Sequence, residues 1–347
     1  MGGTSIAWSR VPDHEFTELE PCRTARFCVC TMNEQAHSLQ APNTGVNFAE
    51  FESFCTAYRQ RQDALSLIKQ LNQMIKAVQR HRGMSMALLA GSSLFQGDFH
   101  VLQRQVERRL TSLEVFAAQT GLLSPRDKEN LHNAWHTIRA DWQGDDVIDN
   151  FELHSHFIDQ LQIMIAGLAK FLEKPVSAII AEKAKLELPG EDAAAYPKMF
   201  KQIELLNFAA RQVTTMAEQV GRIRALSTYA AAKGLCDYHH DRKLRYALST
   251  ARTANEKLRH QAERLESFLA GALPSLSLIK TYELKLMFLL NTVESDVLSG
   301  MTITTNSYNL FKLATEIIDV YLKVVDEAMD LVARWSEEDL EGWLCLV

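Results

Sequence analysis

The chain has 347 residues, is 47% hydrophobic and 23% charged, and carries a net charge of −6 with a pI near 6.0. That is the composition of a globular protein with room for two domains. It excludes a nucleic-acid binder working through a basic stripe, because no run of Lys or Arg exceeds a pair.

Six cysteines lie at positions 22, 28, 30, 55, 236 and 345. The C-x-C of Cys28 and Cys30 has no second ligand pair at zinc-like spacing, so the set reads as reduced thiols of a cytoplasmic protein. No stretch approaches the ~18 uninterrupted apolar residues of a transmembrane helix. The N-terminus has no apolar signal-peptide core. Met1-Gly2 is followed by Ile6, where an acylation motif wants Ser or Thr. A cytoplasmic, membrane-free location is the expectation.

Residues 1–45 mix Pro, Gly, Ser and Thr without periodicity and read as a disordered tail. The intervals 43–124, 198–273 and 275–347 are free of proline and lack strand-like alternation, so long helices are predicted there. The first runs from about Val46 to Gly91 and the second over about 98–120. Ser124-Pro125 starts the third, with Ser as N-cap, Pro in the first turn and Asp127 and Glu129 behind it. It stops at Gly144, and a fourth helix follows over about 150–173. Three prolines and an acidic cluster within 174–197 mark a linker, set at 176–195, with one short helix expected at 176–186. Four more helices are predicted at 196–233, 238–270, 275–298 and 303–335. Trp335-Ser336 then opens a short terminal turn, leaving 336–347 as a C-terminal tail. The predicted fold is all-α, two tandem four-helix bundles over 46–175 and 196–335. Arg59 to Arg61 and Arg104 to Arg109 alternate with Gln and Glu and read as solvated helix surface.

Two arginines stand where the apolar seams require leucines. The first long helix carries Ile68, Leu71, Ile75, Val78, Arg82, Ser85 and Leu89 at alternating spacings of three and four, the stripe of a helix packed on other helices. The fifth repeats the pattern with Ile203, Leu206, Ala210, Val213, Ala217, Val220, Arg224, Ser227 and Ala231. In both, Arg is followed three residues later by Ser, and the offset of 224 from 82 is 142 residues, roughly one bundle plus linker. A duplicated unit is the simplest explanation. A buried guanidinium left unpaired costs several kcal/mol, roughly. Each seam Arg therefore needs an anion, either an Asp or Glu of the chain or a guest. Ser85 and Ser227, one turn along, are candidate neutral donors or small residues for close packing. Arg80 and Arg222 are secondary candidates that otherwise read as surface.

At these residues the chain resembles the NIT family, the nitrate- and nitrite-sensing domain of bacterial regulators. The likeness rests on RHRG-x-S ending the first long helix and G-x-x-R-A-x-S at 221–227. Phe151 and His156 of the fourth helix are in keeping with it. It spans about 46–335. It implies an all-helical, non-catalytic receptor that binds nitrate or nitrite between two bundles, with the family's paired arginines falling on Arg82 and Arg224. It also implies a separate protein partner carrying the output, because the roughly dozen residues of 336–347 are too few for an effector domain. No cofactor is implied, and assembly as a homodimer stays open.

The chemistry is compatible with that implication. Nitrate is flat and singly charged, and a guanidinium donates in a flat fork, so the two match bidentately. The rival expectation is a ligand-free scaffold or adaptor with both arginines in internal salt bridges. A third, an oxidase-like metal bundle, draws on Glu129-x-x-His132. Its only counterpart, Glu34 to His37, falls in the aperiodic segment. His132 and His136, His154 and His156, and His239-His240-Asp241 lack a complete ligand set, and no metal is expected.

Overall fold

The computed structural model describes residues 48–140, 142–175, 198–269 and 271–345. Helices α1 (Phe48–Leu89), α2 (Gln96–Thr120), α3 (Pro125–Ala140) and α4 (Val147–Phe171) make up the first half. The second half holds α5 (Lys198–Asn207), a π-helical turn (Phe208–Val213), α6 (Thr214–Lys233) and α7 (Tyr238–Leu269). It continues with α8 (Leu276–Thr292), a second π turn (Val293–Val297) and α9 (Ser307–Cys345). The class is all-α: among the described residues there is no strand. The expected tail over 1–45, the linker over 176–195 and the short helix at 176–186 lie outside the described residues.

Local chemistry explains the helix ends. Ser124 caps α3 reciprocally: its Oγ accepts from the Asp127 amide at 3.1 Å while the Asp127 carboxylate accepts from the Ser124 amide at 3.2 Å. Asp146 caps α4 by accepting from the Ile148 amide at 2.8 Å. Gly234 ends α6 with φ +77°, a left-handed conformation that glycine adopts without steric cost.

The last helix corrects one expectation. No break occurs at Trp335-Ser336, and α9 continues to Cys345. Ser336 is buried and its hydroxyl donates back to the Val332 carbonyl at 3.0 Å. A serine satisfied within the helix that precedes it starts no new turn. No Pro or Gly falls between Met301 and Glu341 to end the helix earlier.

Helices α1, α6 and α9 pack on one another, with α2 and α4 against α1 and α7 against α6. Residues of both halves enter one continuous apolar core. Around the seam arginines the central helices are buried on all sides: 81–87 of α1 and 223–230 of α6 present no exposed residue. Among the described residues, no helix is long and apolar enough to cross a membrane.

Arg61 departs from the surface reading. It is fully buried, and its Nη2 donates to the Leu172 carbonyl at the end of α4 at 2.6 Å. A cation at the last carbonyls of a helix meets the negative end of its dipole, a long-range partner that local sequence does not reveal. Gln202 of α5 donates to the same carbonyl at 2.5 Å.

A candidate anion site at two buried arginines

The two long helices bring Arg82 and Arg224 inside by crossing at glycines. A Cβ on Gly221 of α6 would lie 3.1 Å from Arg82 Nη2, and one on Gly83 of α1 would lie 3.6 Å from Arg224 Nε. Each guanidinium thus reaches the facing helix where a side chain is missing. Both arginines are buried, at 0% and 1% exposure.

Their partners differ. Arg82 is clasped by Glu218 of α6, with Nη1 donating to Oε1 at 2.7 Å and Nη2 to Oε2 at 3.1 Å. Its Nη1 also donates to Ser155 Oγ of α4 at 2.9 Å, and the Phe151 ring lies 5.2 Å from its Cζ. Glu218 receives two further bonds, from Arg222 Nε at 2.9 Å and Gln79 Nε2 at 2.9 Å. Burial pushes the Glu218 carboxyl up, but Arg82 and Arg222 outweigh it and hold it below the usual carboxylate value.

Among the described residues, Arg224 has no such carboxylate. Its Nη1 donates to Thr315 Oγ1 of α9 at 2.8 Å, and its Cζ stands 4.8 Å from the centre of the Phe311 ring. Nε and Nη2 have no hydrogen-bond partner among the described residues. Burial, with Arg82 and Arg80 nearby, lowers its pKa to about 9 against the weaker opposing pull of Asp319 and Glu218. Nε–H and Nη2–H project from one edge of the guanidinium, so its unsatisfied donors form a fork.

The two serines do not reach the guanidiniums. Ser85 Oγ donates to Asn150 Oδ1 at 2.8 Å, and Ser227 Oγ turns back on the Arg224 carbonyl at 3.4 Å. Arg222 is part-buried and ion-paired: it binds Glu218 and, through Nη2, Asp159 at 3.1 Å, because the i,i+4 spacing from Glu218 holds it against α4. Arg80 is half-buried, with its Nε unpartnered.

Sequence reasoning missed Glu218, Thr315, Phe311 and Gln79. Only Glu218 left a local signal, as the i,i+4 partner of Arg222. It also missed Thr228, whose hydroxyl is buried one turn beyond Arg224 without a partner.

Beside Arg82, His81 and His154 form a buried imidazole pair. His154 Nδ1 lies 2.7 Å from the Asn150 carbonyl and so carries the proton; its Nε2 accepts from His81 Nδ1 at 2.7 Å. Burial, with Arg82 adding, holds His154 down to about 3, although the Asn150 carbonyl opposes this. Burial and His154 push His81 well below its ordinary value. His132 lies at the surface 3.3 Å from Glu114, and His240 Nδ1 meets Asp237 at 2.7 Å. Among the described residues, no three His, Cys, Asp or Glu side chains gather as a metal site.

What the arrangement leaves chemically is two buried, unpartnered donors on one edge of the Arg224 guanidinium. A planar oxyanion on the Arg224 edge would satisfy two buried donors and one buried charge together. No family model, curated protein or solved structure matches this chain.

Proposed function

We propose that the protein is a non-catalytic receptor for nitrate or nitrite, with Arg224 as the principal ligand and Arg82 beside it. The observation that carries this is the open fork of Arg224, a buried cation whose Nε–H and Nη2–H meet no acceptor among the described residues. Charge-assisted hydrogen bonds contribute about 1.5–3 kcal/mol each. Two of them contribute about 3–6 kcal/mol, and relief of an uncompensated buried charge adds to that sum. Nitrate and nitrite are flat, singly charged and weakly hydrated. They match a guanidinium edge better than sulfate, which is harder to dehydrate.

The guest would join α6 to α1 and α9, since Arg224 faces Gly83 and is held by Thr315. Binding favours the packing in which the fork is complete and shifts the population toward it. The altered helical surface signals to a separate protein partner in the cytoplasm, consistent with a role in regulating nitrate assimilation.

Thermal-shift titration with sodium nitrate, nitrite and chloride tests the reading. Ligand at 100 times its Kd stabilises by about 2.7 kcal/mol, whereas nitrate acting no more strongly than chloride rejects the receptor. A second reading, a ligand-free scaffold, is favoured by the Arg82–Glu218 pair, which needs no guest. It predicts the second outcome.

A further inference from the structure

We infer that Glu218 sets the charge of the guest, making the site selective for monovalent over divalent oxyanions; this rests on the receptor reading above. Glu218 acts as a built-in anion. Its two oxygens accept four hydrogen bonds, from Arg82 twice, from Arg222 and from Gln79. Those bonds use the roughly four lone-pair sites that a carboxylate offers, so it stays in place when a guest arrives.

The charges around it then leave one to neutralise. Arg82 is matched by Glu218 and Arg222 by Asp159, while among the described residues no carboxylate pairs with Arg224. Lys76 and Asp319 form a neutral pair at 2.9 Å. Arg80 is part-exposed and screened by solvent. One unit of positive charge in a buried site is balanced by one unit of negative charge on the guest. A dianion would bring a surplus charge into the interior and would meet the repulsion of Glu218 twice over, because Coulomb energy scales with the guest's charge.

Calorimetry on the full chain with sodium nitrate and sodium sulfate, at fixed ionic strength, tests this. The protein itself is expected to prefer nitrate. Glu218→Gln keeps the shape of the side chain and removes its charge, and is expected to move the sulfate-to-nitrate affinity ratio toward sulfate by about tenfold or more. The double variant Arg82→Gln with Glu218→Gln restores the original net charge and is expected to restore the preference for nitrate. An unchanged ratio in Glu218→Gln overturns the proposal, as does a double variant that prefers sulfate. If Glu218→Gln does not fold, the double variant is compared with Arg82→Gln alone: loss of the Glu218 charge on that background should move the ratio toward sulfate about tenfold, and an unmoved ratio overturns the proposal. If the unmodified protein binds neither anion, the receptor reading itself falls. Nitrate binding with an unmoved ratio removes only the role of Glu218.

Discussion

Arg82 and Glu218 meet through two hydrogen bonds of 2.7 and 3.1 Å, with both side chains at most 2% exposed. The pair joins α1 of one half to α6 of the other. Arg224, which faces α1 at Gly83, has no ion pair with a carboxylate among the described residues.

Removing one member of such a pair leaves the other charged and buried. Glu218→Ala is expected to lower stability by about 3–5 kcal/mol. Equilibrium urea denaturation measures this. A loss below about 1 kcal/mol, the worth of an exposed ion pair, would mean that Arg82 is solvated instead.

The opposite sign is expected at Arg224. Its charge is desolvated without a matching anion, so Arg224→Met should raise stability in anion-free buffer by about 1–3 kcal/mol. The same variant should lose the nitrate-induced rise in Tm. A variant that is destabilised and still responds to nitrate would place the guest elsewhere.

The buried imidazoles give a pH dependence. In the folded chain His154 is held down to about 3 and His81 well below its ordinary value. Both titrate near 6.5 when unfolded. As pH falls below about 6.5, the unfolded chain takes up protons that the native chain refuses, and stability falls by about 1.4 kcal/mol per pH unit for each group. Glu218 adds to the loss below about pH 4.3, because its native carboxyl is held below the unfolded value. Denaturation midpoints between pH 7 and 5 should therefore drop, and His81→Gln should flatten the slope. A midpoint independent of pH in that range would contradict the neutral pair.

The glycines facing the arginines give the last prediction. Alanine in a helix interior normally gains about 1 kcal/mol over glycine. At Gly83 the new Cβ would stand 2.8 Å from the Phe311 ring, and at Gly221 it would press on Arg82 and Gln79 at 3.1 and 3.2 Å. Overpacking of this kind costs about 1–3 kcal/mol, so Gly83→Ala should destabilise on balance and weaken nitrate binding by displacing the ring that faces Arg224. Chemical denaturation and calorimetry on one sample check both effects; a stabilised Gly83→Ala would show that Phe311 moves freely.

The sequence by itself determined the helices and the burial of the two arginines. The 3-4 spacing put Arg82 and Arg224 on packed faces because side chains three and four apart share one side of a helix. Ser124-Pro125 and Gly234 marked helix ends through local backbone chemistry. Ser336 misled, since a hydroxyl that caps one helix can equally bond within the helix before it. Only the tertiary structure decided which arginine is already neutralised. Glu218 lies 136 positions from Arg82, and Thr315 lies 91 from Arg224. Spacing along one helix fixes the face a side chain lies on. The side chains it meets there are set by how distant helices pack, and so the unpartnered fork fell to Arg224.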